Sequence, residues 1–256
     1  MQDKIKIKVV TYNLKCDSRE GFALRLPIAM TRINTEKPDI IGFQEALPVM
    51  YSMLKEALSD NYCFVGFGRD ADFGGESNCI AFKRGIFELF GFHQFWLSPT
   101  PYIPGSRYEE QSGCPRICVM AMLRHRDRIA PFRFYNTHLD HVGEGARVLG
   151  MSQVLRGIKA DNDEWRQSII LTGDMNAAPD SRAISDALAF GDYPLTDTTA
   201  SLTHTFHDFG KLSGGCKIDY IFTDKGNTHS APYIWDDRAD GRFISDHYPV
   251  AVDIVL

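Results

Sequence analysis

The sequence predicts an α/β fold for its 256 residues. Short branched-apolar runs of strand length alternate with longer stretches whose apolar residues recur at helical spacing. Gly, Pro, Asn and Asp punctuate the intervals between them. One strand-like run after another stops at an acid, an amide or an imidazole, and in open α/β sheets strand ends are where ligands collect. No internal repeat, low-complexity tract or shift in composition marks a linker, so a single domain over residues 1–256 is expected.

Residues Ile5 to Tyr12, IKIKVVTY, alternate until the strand turns apolar on both faces, and the run closes on Asn13. From Gly21 to Lys37, Leu24, Ile28, Met30 and Ile33 fall at helical spacing, with Pro27 in the first turns and Pro38 as the breaker. Asp39 to Glu45 is the next strand and ends on a carboxylate. A helix over 48–59 leads to a strand at Tyr62–Phe67. The Gly74-Gly75-Glu76 loop precedes another strand at Ser77–Lys83. That loop lacks the helix and the Lys-Ser/Thr pair of a phosphate cradle.

Residues 86–97 are extended and aromatic, and Ser98 to Gly113 form a long loop. Arg116–Leu123 and Phe132–Thr137 read as a hairpin around the polar turn at Arg124–Arg128, running into His138. Gly143–Ala160 is helical, with Val148, Met151, Val154, Leu155 and Ile158 as its core stripe. Ile169-Ile-Leu171 is a buried strand that turns at Thr172-Gly173 and presents Asp174 and Asn176. A short helix at 181–189 and a loop-rich section to Gly215 follow. Ile218–Phe222 carries one acid, Asp219, in an apolar run, and a buried carboxylate needs a partner. Ile244 to Val255 supplies Asp246 and His247 and then a closing strand. Each of these polar residues taken alone reads equally as a turn residue.

A hydrophobic share of 44% suits a globular chain with a sizeable core. The opening MQDKIKIKVV has no apolar stretch of signal-peptide length, and no run approaches the ~20 apolar residues of a membrane span. A cytoplasmic protein with no obligate protein partner is expected. The formal net charge of −5 excludes broad attraction to nucleic-acid backbone, so a polyanionic substrate requires a local patch or a metal. Six scattered cysteines include no CxxC pair, and Cys79 and Cys118 sit in strand context as buried free thiols. Cys114 and Cys118 lack the second pair a zinc site needs.

The segments TYNLK (11–15), GFQEAL (42–47), NTHLDH (136–141), LTGDMNAAPDS (171–181), KIDYIF (217–222) and SDHYPV (245–250), in this order and spanning nearly the whole chain, resemble the endonuclease/exonuclease/phosphatase superfamily with its deoxyribonuclease I-like fold. FWLS (95–98), PGS (104–106) and CPRI (114–117) are similar to its bacterial branch related to deadenylases and nocturnin. Where that branch usually has Trp after PGS, this chain has Tyr108. The resemblance implies a four-layer αββα sandwich: two mixed, largely antiparallel sheets packed face to face, helices outside. It also implies a divalent-metal-dependent phosphoesterase.

Phosphoester hydrolysis is a problem of positioning and charge, because anionic oxygens repel the attacking water's electrons. Oxygen donors such as Glu45, Asn13 and Asp246 suit Mg²⁺ or Mn²⁺. A buried Asp219 would fix the tautomer of His247. By resemblance, Glu45 is the principal metal ligand with Asn13 and Asp246 beside it. Asp174 and Asn176 orient the attacking water, His138 polarises the phosphate, and His247, oriented by Asp219, is acid, base or phosphate contact. Glu76 supports His138, and Arg116 lines the pocket toward phosphate.

Two rival readings stand beside this one. His138, Asp140 and His141 echo part of the zinc motif of metallo-β-lactamase-type hydrolases, although Asn136 occupies the first histidine's place. A catalytically retired scaffold would use the cleft for binding. The acidic balance favours a small or single-stranded nucleotide or nucleic acid phosphoester as substrate, with Phe92, Phe95, Trp96, Tyr102 and Tyr108 as candidate stacking rings.

Overall fold

The computed structural model describes residues 4–256; the first three residues of the MQDKIKIKVV opening lie outside them. Strands β1 (Lys6–Asn13), β2 (Ile40–Gln44), β3 (Tyr62–Val65) and β4 (Ile80–Lys83) are interleaved with helices α1 (Arg19–Glu36) and α2 (Pro48–Leu58). Strands β5 (Phe87–Trp96), β6 (Ile117–His125) and β7 (Phe132–His138) lead to helix α3 (Glu144–Asn162), β8 (Ser168–Asp174), α4 (Arg182–Leu188), β9 (Leu195–Asp197) and β10 (Asp219–Asp224). Short strands β11 (Thr228–His229), β12 (Tyr233–Ile234), β13 (Arg238–Ala239) and β14 (Arg242–Phe243) precede the closing β15 (Val250–Val255).

One sheet runs β11-β15-β1-β2-β4-β3, with β12 also on β15; the other runs β5-β6-β7-β8-β10-β9. Each contains one parallel pair, β1 with β2 and β7 with β8. Those two pairs are joined through α1 and α3, the long crossover a parallel connection needs. The other pairs are antiparallel, including the expected β6–β7 hairpin.

Period-two alternation sorts the side chains into three apolar layers. Ile7 and Val9 of β1, Ile117, Val119, Ala121 and Leu123 of β6, and Ile170 of β8 meet between the sheets. Val10 and Tyr12 point the other way, onto α1 and α2. Cys118, Met120, Ile169 and Leu171 face α3 and α4. Both faces of the central strands are therefore covered, which explains their unbroken apolar runs. The result is the αββα sandwich that the motif series implies.

The inter-sheet layer turns polar toward one end. Gln44 Nε2 donates to Asn136 Oδ1 at 2.7 Å and to Thr11 Oγ1 at 3.1 Å, Thr172 Oγ1 donates to Asn136 Oδ1 at 3.1 Å, and Asn136 Nδ2 reaches the Phe43 carbonyl at 2.8 Å. Gly42 makes this approach possible, since a Cβ there would lie 2.4 Å from Thr172 Oγ1. The network clamps the two sheets together directly beneath the functional residues.

Helix α1 differs from expectation in which face it buries. Leu24 is 56% exposed, whereas Arg25 is buried and donates to the carbonyls of Leu14 at 2.6 Å and Ile244 at 3.1 Å. A third bond goes to the Lys15 carbonyl at 2.9 Å, and satisfying these carbonyls outweighs burying one leucine, because an orphaned buried carbonyl costs more than an exposed methyl group. Pro27 stands well inside the helix, which Ser18 caps by accepting from Gly21 N. Ala23, whose carbonyl loses its partner there, is exposed to water.

Candidate active site

Strand register assembles the centre. In the second sheet His138 is paired with Asp174, and Asp174 with Asp219, so three chemical side chains stand on one cross-strand row. In the first sheet Asn13 is paired with Gln44, and Glu45 follows at once in the left-handed region, φ 60°. That conformation is costly for a side chain with a Cβ and concentrates at functional sites. Asn176, at φ 47°, is a second case.

Asn13 joins the two sheets. Its Nδ2 donates to Glu45 Oε1 and to Asp174 Oδ2, both at 2.9 Å, while its Oδ1 accepts from Lys15 N. Cys16 N donates to the other Glu45 oxygen at 2.8 Å. Asp174 Oδ1 accepts from Asn176 N at 2.8 Å, and Asp174 Oδ2 lies 3.4 Å from His138 Nε2 and 3.7 Å from His247 Nε2. Asn176 Nδ2 donates to the Leu139 carbonyl at 3.0 Å and lies 2.9 Å from His138 Nε2. His247 Nδ1 meets Asp219 Oδ2 at 2.9 Å, and Thr205 Oγ1 donates to the same oxygen at 2.6 Å. Buried Asp219 thus has its partner.

Burial, then the nearby Asp219 charge, push the Asp174 carboxyl up to about 7. Burial alone would lower His247, but Asp219, Asp174 and Asp246 outweigh it and hold the imidazole at about 10. His138 falls well below the ordinary imidazole value through burial and the charge of Arg116. Burial would raise Glu45, yet the hydrogen bonds from Cys16 N and Asn13 and the Lys15 charge hold it below the usual carboxylate range. Asp246 is raised, first by burial; it sits beside Ser245, with Lys15 Nζ at 3.6 Å.

Glu45, Glu76, Arg116, His138, Asp174, Asn176, Asp246 and His247 line one cavity of about 510 Å³, while Asn13 and Asp219 orient its wall from behind. Arg116 is buried, with Nε and Nη1 making no hydrogen bond, Nε lying 3.9 Å from Asp140 Oδ2, and its Nη2 meets His141 Nδ1 at 2.8 Å. Sequence reading missed Lys15, Arg69 and Phe206, which also line the cavity. The loop that follows β3, residues 66–76, offered no periodic signal to single out Arg69.

Three expectations need correction. Glu76 makes no hydrogen bond to His138, because both its oxygens are taken by the Arg69 fork at 2.7 and 2.8 Å. None of the five candidate stacking rings reaches the cavity. Phe95, Trp96 and Tyr108 are core, the last with its hydroxyl on Gln153, while Phe92 and Tyr102 lie exposed elsewhere; Phe206 is the ring on the wall. The Asp140 of the zinc reading is already satisfied, accepting from Ser112 N and Oγ and from the backbone N–H of Val142 and Gly143. A carboxylate so engaged turns loops and has little left for a metal.

The donor set suits a hard divalent cation. Glu45, His138 and Asp174 have ligand atoms within 4.8 Å of one another, as do Asp174, Asp219 and His247. Among the described residues no lysine or arginine pairs with Glu45 or Asp174. Their nearest cations, Lys15 and His247, hydrogen-bond to neither carboxylate, which leaves oxygen lone pairs for a metal ion.

A family model described as the endonuclease/exonuclease/phosphatase family matches residues 10–247. The chain belongs to this family. Its members hydrolyse phosphate esters, typically with a divalent metal. An endonuclease/exonuclease/phosphatase from Bacteroides vulgatus superposes with a TM-score of 0.89 at 26% identity over 98% of each chain. A mannosyl-6-phosphatase from Bacteroides thetaiotaomicron gives 0.86 at 28% identity, over 98% of this chain and 100% of that one. The human nocturnin catalytic domain shares the fold, with a TM-score of 0.77 at 17% identity over 99% of this chain and 97% of that one. No curated protein matches the sequence. No helix among the described residues is long and apolar enough to cross a membrane.

Proposed function

We propose that this family member is a Mg²⁺- or Mn²⁺-dependent phosphoesterase that hydrolyses a small phosphoester by in-line attack of water, with residues 1–256 as one catalytic domain. The observation that carries this reading is the meeting of Glu45, Asp174, His138 and His247 in one cavity, with no lysine or arginine paired directly with the first two. Glu45, with Asn13 and Asp246 beside it, would hold the cation. Bound there, the cation would act as a Lewis acid on the phosphate oxygens.

The chain's own groups divide the remaining work. Asp174, fixed by Asn13 and Asn176 N, orients the attacking water and takes its proton. His247, kept protonated by Asp219, faces the developing negative charge, and buried Arg116 offers two unpaired N–H groups to the phosphate. His138 presents an imidazole aligned by Asn176. A charged group fixed before the reaction stabilises a transition state without reorganising.

The substrate reading is a nucleotide or a short single-stranded nucleic acid. A sugar phosphate is the second reading, favoured by the mannosyl-6-phosphatase at 28% identity. A panel of p-nitrophenyl phosphate, bis-p-nitrophenyl phosphate, nucleotides, poly(A), hexose phosphates, inositol phosphates and sphingomyelin, with Mg²⁺ or Mn²⁺ and with EDTA, tests both. Turnover of at least one phosphoester, abolished by EDTA, is expected. Inertness toward the whole panel would revive the retired scaffold.

A further inference from the structure

A second cavity, of about 340 Å³, is lined by Asp17, Leu24, Phe209, Gly241, Arg242 and Phe243 among others. Its walls continue those of the catalytic cavity without a break in the chain: Lys15 and Cys16 line the first and Asp17 the second, Asp208 the first and Phe209 the second. The partition between them is a strained turn. Asp208, Phe209 and Gly210 are left-handed in succession, at φ 46°, 52° and 82°. Two residues with a Cβ in that region need the surroundings to impose it. His207 does so, stacked at 4.0 Å on Tyr248 and accepting from Gly210 N at 3.0 Å. Gly210 packs so closely on Phe243 that a Cβ would meet the ring at 2.7 Å.

The opposite wall is equally specialised. The β13–β14 hairpin belongs to neither large sheet and turns through Asp240-Gly241, both at positive φ, the two-residue connection such hairpins favour. It supplies Gly241, Arg242 and Phe243. Arg242 forms no ion pair among the described residues, and Leu24 of α1 stands 56% exposed at this cavity. The catalytic cavity is walled mostly by charged groups; this one sets three apolar side chains and the guanidinium of Arg242 beside the Asp17–Arg25 ion pair, which neutralises itself at 3.1 Å.

Resting on the phosphoesterase reading, we infer that the cavity formed by Leu24, Phe209, Arg242 and Phe243 is a leaving-group subsite for the aromatic ring of the esterified alcohol, that alcohol being a nucleoside when the substrate is a nucleotide. The turn at Asp208–Gly210 then separates the charged phosphate from the apolar ring. A stacked base contributes enough for about a tenfold or larger effect on affinity.

Adenosine and ribose, which carry no phosphate to lose, report on this cavity independently of turnover. Binding to the wild-type protein, Phe209→Ala and Leu24→Arg is followed by ligand-observed NMR titration. Hydrolysis of adenosine 5′-monophosphate and ribose 5-phosphate is compared in parallel. Adenosine is expected to bind at least about tenfold more tightly than ribose. Each variant should erase that difference, together with any preference for the nucleotide in kcat/KM. Leu24 is exposed, so Leu24→Arg blocks the cavity without disturbing the core. Equal binding of adenosine and ribose to the wild type, or a difference that survives both variants, overturns the subsite. Adenosine binding without turnover of any phosphoester would instead overturn the activity and leave the subsite standing.

Discussion

The strands of the two sheets carry acids at both ends, and the two ends treat them differently. Asp39, just before β2, accepts from Lys8 N and from Lys83 Nζ, both at 2.7 Å. Asp224, closing β10, accepts from Ile169 N at 2.7 Å and Arg166 Nη2 at 2.8 Å. Each has a cation and a backbone N–H of its own. At the opposite end of the two sheets, Glu45, just past β2, and Asp174, closing β8, meet amides, backbone N–H groups and imidazoles; the nearest cations, Lys15 beside Glu45 and His247 at 3.7 Å from Asp174, hydrogen-bond to neither. Asp39 and Asp224 hydrogen-bond directly to their counter-charges; Glu45 and Asp174, to which the proposed function assigns the chemistry, have theirs only at a distance, an arrangement that costs stability.

The largest effect that can break this comparison is catalytic. Asp174→Ala or His247→Ala should lower kcat/KM by roughly a thousandfold or more, with a melting temperature close to wild type. Unfolding instead would make the two ends alike. Next comes the cation. Mg²⁺ at a hundred times its Kd should add about 2.7 kcal/mol of stability, several degrees in a thermal melt, and Glu45→Gln should need a higher Mg²⁺ concentration for the same shift and for activity.

At the far end the signs reverse. Asp224→Ala strands the Ile169 N–H and should cost about 1–3 kcal/mol of unfolding free energy, measured in urea, with kcat/KM near wild type. The smallest effect is on pH dependence. In metal-free protein the Asp174 carboxyl, at about 7, stays protonated when folded but ionises near 4 when unfolded. Unfolding therefore releases a proton between those values, and this residue's contribution falls as pH rises from about 4 to 7 and is level above. The stability gained by Asp174→Asn should grow across that window; a pH-independent gain would contradict the assignment.

Much of this was legible in the residues themselves. The apolar runs of Ile169–Leu171 and Ile5–Tyr12 could only be strands covered on both faces, and each ended where a polar side chain had to emerge. Helix α1 shows where such reading stops: Leu24 and Arg25 are adjacent, and what turned the arginine inward was a set of carbonyls as distant as Ile244. The pairing of Glu76 with Arg69 rather than His138 likewise depends on how one loop folds back on itself. Periodicity has no purchase there. The β13–β14 hairpin did leave a signal, Asp240-Gly241, but its two-residue strands are too short to show alternation. Site residues were easier than their partners because chemistry restricts residue type, whereas partner choice depends on chain geometry over long separations, 161 positions from Asn13 to Asp174.

The most direct measurement is phosphoester turnover by wild type and Asp174→Ala, with Mg²⁺ or Mn²⁺, after EDTA, and after the cation is returned. Hydrolysis that disappears with EDTA, comes back with the cation, and is absent throughout in the variant is the predicted result. Turnover indifferent to EDTA, or undiminished in Asp174→Ala, would contradict the assignment of this acid-rich end to metal-assisted hydrolysis.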